Sequence, residues 1–206
     1  LIAKHGYDIN AVGAYKDALS IDGKIVAVPF RGAGYYIYYN EKLFEEAGEP
    51  TPDTYVDEGT WTWDKYVEVA RRMSSGDGEQ YGSLWYTWGI CQAPLAFQEG
   101  VEFITANGEI DVSDKVWESF KLRKMLEEGK IIPKLVDLKV TKTHYSQAFY
   151  SGNIAMLIIG EWFPGYMIKA KRENLLKGYS WEDWAITRLP SDQGRSEEHT
   201  SELQSP

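Results

Sequence analysis

The sequence predicts an α/β fold with a mostly parallel sheet. Three observations carry this. Strand-like and helix-like segments alternate along the chain. The run Ile154-Ala155-Met156-Leu157-Ile158-Ile159 is continuously apolar, as in a strand buried on both faces. Helix-starting residues, Asn40 and Thr62, stand directly before amphipathic stretches.

Taken in order, residues 7–19 read as loop plus a short helical turn. Residues 24–28 (Lys-Ile-Val-Ala-Val) form a buried strand after the Asp22-Gly23 turn, stopped by Pro29, which cannot donate to a ladder. Gly32-Ala33-Gly34 gives a flexible passage into a second strand at 35–39. Asn40 then caps a helix whose buried side is Leu43, Phe44 and Ala47, closed by Gly48. Thr62 opens the next helix, with Trp63, Tyr66, Val67, Ala70 and Met73 on one face.

Residues 74–80 are a polar turn, and 81–88 an aromatic strand or strand-to-helix passage. Residues 94–100 are helical, and 111–113 introduce a helix to about Glu128, ended by Gly129. Residues 144–151 form a short helix. The apolar run 154–159 follows, and Gly160-Glu161-Trp162 turns it into a helix carrying Tyr166, Met167 and Ala170. Residues 184–190 make the last strand. No internal repeat or low-complexity segment is present.

The chain has 206 residues, 43% hydrophobic and 14% aromatic, enough for one sizeable core or two small ones. A net charge of −9 argues against nucleic acid, which requires a clustered basic face. No apolar run reaches the roughly 18 residues of a membrane span. The lone Cys91 has no partner for an internal disulfide and reads as a small buried hydrophobe. The segment 195–205 reproduces an in-frame translation of a short-read sequencing adapter, so 195–206 is set aside as a non-native tail. Leu1 is not an initiator Met and no signal segment precedes the folded pattern, so the chain reads as a fragment cut at both ends.

Four blocks, in order, carry a family resemblance. They are Asp22-Gly23-Lys24 with its strand and Tyr38-Tyr39-Asn40-Glu41-Lys42-Leu43-Phe44; Thr62-Trp63-Asp64-Lys65-Tyr66; residues 147–156 (Gln-Ala-Phe-Tyr-Ser-Gly-Asn-Ile-Ala-Met); and Gly160-Glu161-Trp162. The closing strand 184–190 adds to them. The chain resembles the extracellular solute-binding proteins of the sugar-binding family, which feed ABC importers. The resemblance implies a periplasmic-binding-protein-like fold of two α/β lobes joined by crossing strands, with ligand in the cleft. On it, residues 1–33 are a remnant of the first lobe and the approach to the crossing. Residues 34–189 are the second lobe, and 190–194 begin the return.

The same resemblance implies a mono- or oligosaccharide ligand, ABC permease subunits as partners, a monomer, and an extracytoplasmic location, either periplasmic or lipid-anchored. It implies no enzyme activity and no cofactor. A sugar site requires an aromatic plate for the flat C–H face and polar groups for the hydroxyl rim. Trp162 matches the family's sugar-stacking position; its bland alternative is a plug at the strand–helix junction. Glu161 departs from the family's usual proline and is either a hydroxyl acceptor or a helix-start carboxylate. Arg31, Tyr35 and Tyr36 lie on the expected crossing, and Trp85 and Trp88 in another expected pocket loop. Strand alternation puts Tyr36 with Tyr38 and Tyr35 with Tyr39, so one pair at most is expected to reach ligand. Trp63 and Trp117 lie on helical stripes and are expected in the core.

No catalytic residue or metal ligand set is expected. His5 and His144 lack zinc-ligand spacing, and no nucleophile elbow or phosphate-binding loop occurs. Two alternatives stay open: a binding protein for an anion or for ferric iron held by tyrosines, and a carbohydrate-active enzyme.

Overall fold

The computed structural model describes residues 4, 6, 8, 19–28, 34–101, 104, 107–110 and 112–191. The expectations for residues 7–18, the Pro29 stop, Arg31, most of the Gly32–Gly34 passage, and 192–206 with the adapter-like tail fall outside them, wholly or in large part. The chain divides into two compact units, Leu1–Gly34 and Tyr35–Pro206.

In the first unit, β1 (Ser20–Ile21) and β2 (Lys24–Ile25) pair antiparallel across the Asp22-Gly23 turn. Both turn residues have positive φ, which a two-residue hairpin of this hand requires. The buried strand expected over 24–28 is corrected. β2 has two residues, and Val26 and Val28 are exposed among the described residues. Two paired strands of two residues each offer too little surface to bury the valines that follow them.

The second unit is a sheet between two helical layers. Its strands are β3 (Tyr35–Asn40), β4 (Leu84–Trp85), β5 (Met156–Gly160) and β6 (Trp184–Thr187), in the order β4-β5-β3-β6. β4 and β5 are parallel, whereas β3 is antiparallel to both β5 and β6. The mostly parallel sheet is therefore corrected. β4, β5 and β6 point the same way, but β3 is inserted between two of them in the opposite direction.

Nine helices are described. They are α1 (Glu41–Ala47), α2 (Pro52–Asp57), α3 (Trp63–Arg72), α4 (Gly89–Gln92), α5 (Pro94–Gln98), α6 (Asp114–Glu128), α7 (Leu135–Thr141), α8 (Tyr145–Tyr150) and α9 (Phe163–Glu173). The expected caps are in place: Asn40 accepts from the Leu43 N–H, Thr62 from the Lys65 N–H, and Gly48 closes α1 with φ 63°. Phe44 is the buried residue of α1, while Ala47 is exposed.

Strand alternation builds two cores. Ile37, Tyr39, Trp85, Met156 and Ile158 face one layer, against Phe44, Trp61, Trp63, Tyr66 and Leu126. Tyr38, Leu84, Leu157 and Ile159 face the other, against Tyr145, Phe149, Phe163 and Met167. All five residues of β5 are buried, as its unbroken apolar run requires. Trp117 is corrected: it is 54% exposed, edge-on to Phe120, which is also exposed, because α6 turns Val116, Ser119, Arg123 and Leu126 inward instead. Gly82 lets β4 approach α3, since a Cβ there would sit 1.7 Å from the Ala70 carbonyl oxygen.

Candidate functional site

The directions of the strands select one end of the sheet. β4, β5 and β6 all present their carboxyl ends there, and β3 begins there, with Tyr35 opposite Gly160. The carboxyl edge of an open α/β sheet is where the loops are free to diverge and receive ligand.

The β5–α9 turn sets Trp162. Its six-membered ring folds back over Gly160, where an added Cβ would meet ring atoms at 2.1 Å. Only a glycine admits the ring at that position. The indole N–H donates to the Tyr145 hydroxyl at 3.0 Å. Tyr35 meets Trp162 edge-on at 5.7 Å between centroids, and Trp88 meets it at 5.6 Å. Trp88 follows β4, precedes α4, and is 40% exposed. Tyr86, from the same segment, packs on Trp88 at 5.2 Å and on Tyr145 at 5.0 Å.

The result is a wall of aromatic rings with its outer members open to solvent. Apolar ring faces suit the C–H face of a sugar, and neighbouring hydroxyls suit its rim. Glu161 is exposed beside Trp162, two residues ahead of the first residue of α9. Burial, with a smaller push from Cys91, raises the Tyr35 phenol to about 12, so its hydroxyl stays protonated and able to donate.

The expected site residues separate cleanly. Trp162, Trp88, Tyr35, Tyr36 and Glu161 lie at this one edge. Tyr36 is 36% exposed and Tyr35 half-buried, one on each face of the first step of β3. Tyr38 and Tyr39 are buried, so the strand offers its first residue from each face instead of a same-face pair. Trp85 is corrected: it is fully buried, donates its indole N–H to the Tyr66 hydroxyl at 2.6 Å, and has no face left for a ligand. Strand alternation explains this, because Trp85 points with Ile158 into the α3 layer. Cys91 is buried, with its thiol against the Ile158 carbonyl at 3.8 Å and pushed up to about 12 by burial.

Tyr145, His144 and Tyr166 were not expected from sequence to belong to the ligand site. Tyr145 opens α8, His144 stands one residue before it and Tyr166 lies on α9, and the three rings pack on one another beside Trp162. The available signal was positional: Tyr145 opens a helix immediately after His144, whose ring caps it.

The comparisons with known proteins bear on the family and the fold. The family of bacterial extracellular solute-binding proteins matches residues 6–191, and the chain belongs to that family. It is 22% identical over 186 residues to a lactose-binding protein of Rhizobium radiobacter, covering 89% of this chain and 40% of that protein. An arabinooligosaccharide-binding protein of Halalkalibacterium halodurans is 22% identical over 148 residues, 70% of this chain and 32% of its own length. Among solved structures, a sugar transporter from Rhizobium etli in an open conformation superposes with a TM-score of 0.71 at 28% identity. The match covers 92% of this chain and 46% of that one. A solute-binding protein from Agrobacterium vitis with bound D-mannitol gives 0.64 at 18% identity, over 94% of this chain and 47% of its own. The chain thus spans less than half the length of these relatives. The fold is that of periplasmic binding proteins, the family is one of binding proteins, and it is an extracellular one.

Proposed function

We propose that this chain is the second lobe of a substrate-binding subunit of a carbohydrate ABC importer, acting in the complete protein as a monomer. The lobe captures a sugar against the Trp88–Trp162 wall, and closure over the ligand presents the protein to the permease. The bounds proposed are 1–33 for the first-lobe remnant, 34–189 for the second lobe, 190–194 for the return, and 195–206 as non-native tail. The location is extracytoplasmic, in the periplasm or on a lipid anchor. Among the described residues no helix is long and apolar enough to cross a membrane.

The observation that carries this is the half-open aromatic wall at the carboxyl ends of β4 and β5. The sugars named for the relatives support carbohydrate as the ligand class. The iron reading is not favoured. Tyr38 donates to the Gly160 carbonyl and Tyr39 to Asp53, and burial raises both phenols, opposing the phenolates that iron needs. A glycosidase needs two facing carboxylates, and the site residues named above include one, Glu161.

The test is a thermal-shift panel of mono- and oligosaccharides on the complete protein. Binding stabilises by RT ln(1 + [L]/Kd), about 2.7 kcal/mol at a hundredfold excess over Kd. A flat response across the panel would remove sugar as the ligand.

A further inference from the structure

His144 stands one residue before α8, and its ring is the cap of that helix. Nδ1 accepts from the backbone N–H of Ser146 at 3.3 Å and lies 2.8 Å from the Ser146 hydroxyl. Accepting an N–H requires a lone pair on Nδ1, so the capping ring is the neutral one with its proton on Nε2.

The next residue, Tyr145, is 2% exposed and its ring lies 4.0 Å from the imidazole. Its hydroxyl receives the Trp162 indole N–H. A short line of contacts therefore runs from a titratable cap, through the first residue of α8, to the ring that forms the wall. Among the described residues, the other rings packed on His144 are Tyr166 of α9 at 5.4 Å and Tyr86 of the segment after β4 at 6.1 Å. Both are phenols, a type uncharged in the acid range. Burial lowers the His144 pKa, and no charged neighbour contributes to that shift.

We infer that His144 is a positioning residue: its neutral ring holds Tyr145, and through it Trp162, in the ligand-binding arrangement, so that acid releases the sugar. Protonation places a hydrogen on Nδ1, where the Ser146 N–H needs an acceptor. The first turn of α8 loosens, and the Tyr145 hydroxyl no longer meets the indole. This rests on the sugar-binding reading above for its consequence, though its structural part does not.

The experiment uses the complete protein and whichever of lactose, maltose, laminaribiose and D-mannitol binds tightest at about pH 7.5. Between about pH 7.5 and about pH 5, wild-type affinity falls roughly tenfold, the scale of a lost helix cap. His144→Asn, which caps without titrating, binds more tightly than His144→Ala at the higher pH and its affinity does not change to the lower. His144→Ala is weak at both. The Trp162 indole N–H resonance of the ligand-free protein must also shift with the His144 ring titration. If none of the sugars binds, the binding reading falls while this resonance still decides the positioning role. An indole resonance that ignores the titration, or an Asn variant that keeps the wild-type acid loss, overturns the inference.

Discussion

Trp162 donates its indole N–H to the hydroxyl of Tyr145, 17 residues earlier in the chain, at 3.0 Å. The bond joins the β5–α9 turn to the start of α8 and fixes which way the indole faces at the sheet edge. Tyr145→Phe removes the acceptor and keeps the ring. It lowers stability by about 1 kcal/mol and weakens ligand binding several-fold through the indole's lost acceptor. Chemical denaturation and calorimetric titration of the variant check both numbers.

Gly160 is required by the ring above it. Gly160→Ala puts a methyl 2.1 Å from Trp162 ring atoms, so the indole must swing away. The variant keeps its far-ultraviolet circular dichroism but changes the near-ultraviolet and fluorescence signature of Trp162, and it loses affinity. A variant indistinguishable from wild type in all three would show that the ring does not occupy this place.

Trp85 and Trp88 are three residues apart and answer differently to truncation. Trp85→Ala empties a fully buried site, leaves the Tyr66 hydroxyl without its indole donor, and costs about 3–5 kcal/mol. Trp88→Ala removes a 40% exposed ring and costs about 1 kcal/mol while reducing ligand affinity. Urea midpoints of the two variants, measured side by side, separate core from wall.

Acid stability has a separate origin at Glu49. Its burial raises the carboxyl pKa, but Arg72 at 2.6 Å and the Tyr55 hydroxyl at 2.9 Å outweigh that and hold it below its ordinary value of about 4.5. The native state therefore binds this proton more weakly than the unfolded chain does. The contribution is complete above about pH 4.5 and fades as pH falls through the lower native value. Glu49→Gln flattens that part of the stability profile, as read by urea unfolding at a series of acid pH values.

Much of this was legible in the sequence, for identifiable reasons. Asn40, Thr62 and Gly48 announce helix ends through local hydrogen bonds, and the apolar run of β5 admits burial on both faces only. The direction of β3 was not legible, because antiparallel insertion between β5 and β6 depends on pairing across more than a hundred residues. Trp162, Trp88 and Trp85 were all named as candidate ligand residues; the structure puts the first two side by side at the sheet edge and Trp85 in the core. Strand alternation of the two residues of β4 was the available clue. Tyr145 and His144 escaped because their role lies in tertiary contact with another helix, and helical spacing along α8 carries no trace of it.

The measurement that bears most directly on the account is calorimetric titration of the complete protein and its Trp162→Ala variant with the best sugar of the panel. The account predicts binding by wild type and a loss of about 2 kcal/mol or more for the variant, the scale of a binding hot spot, with little change in fold. Equal affinity for the two proteins would contradict it, and would place the ligand away from the Trp162 wall.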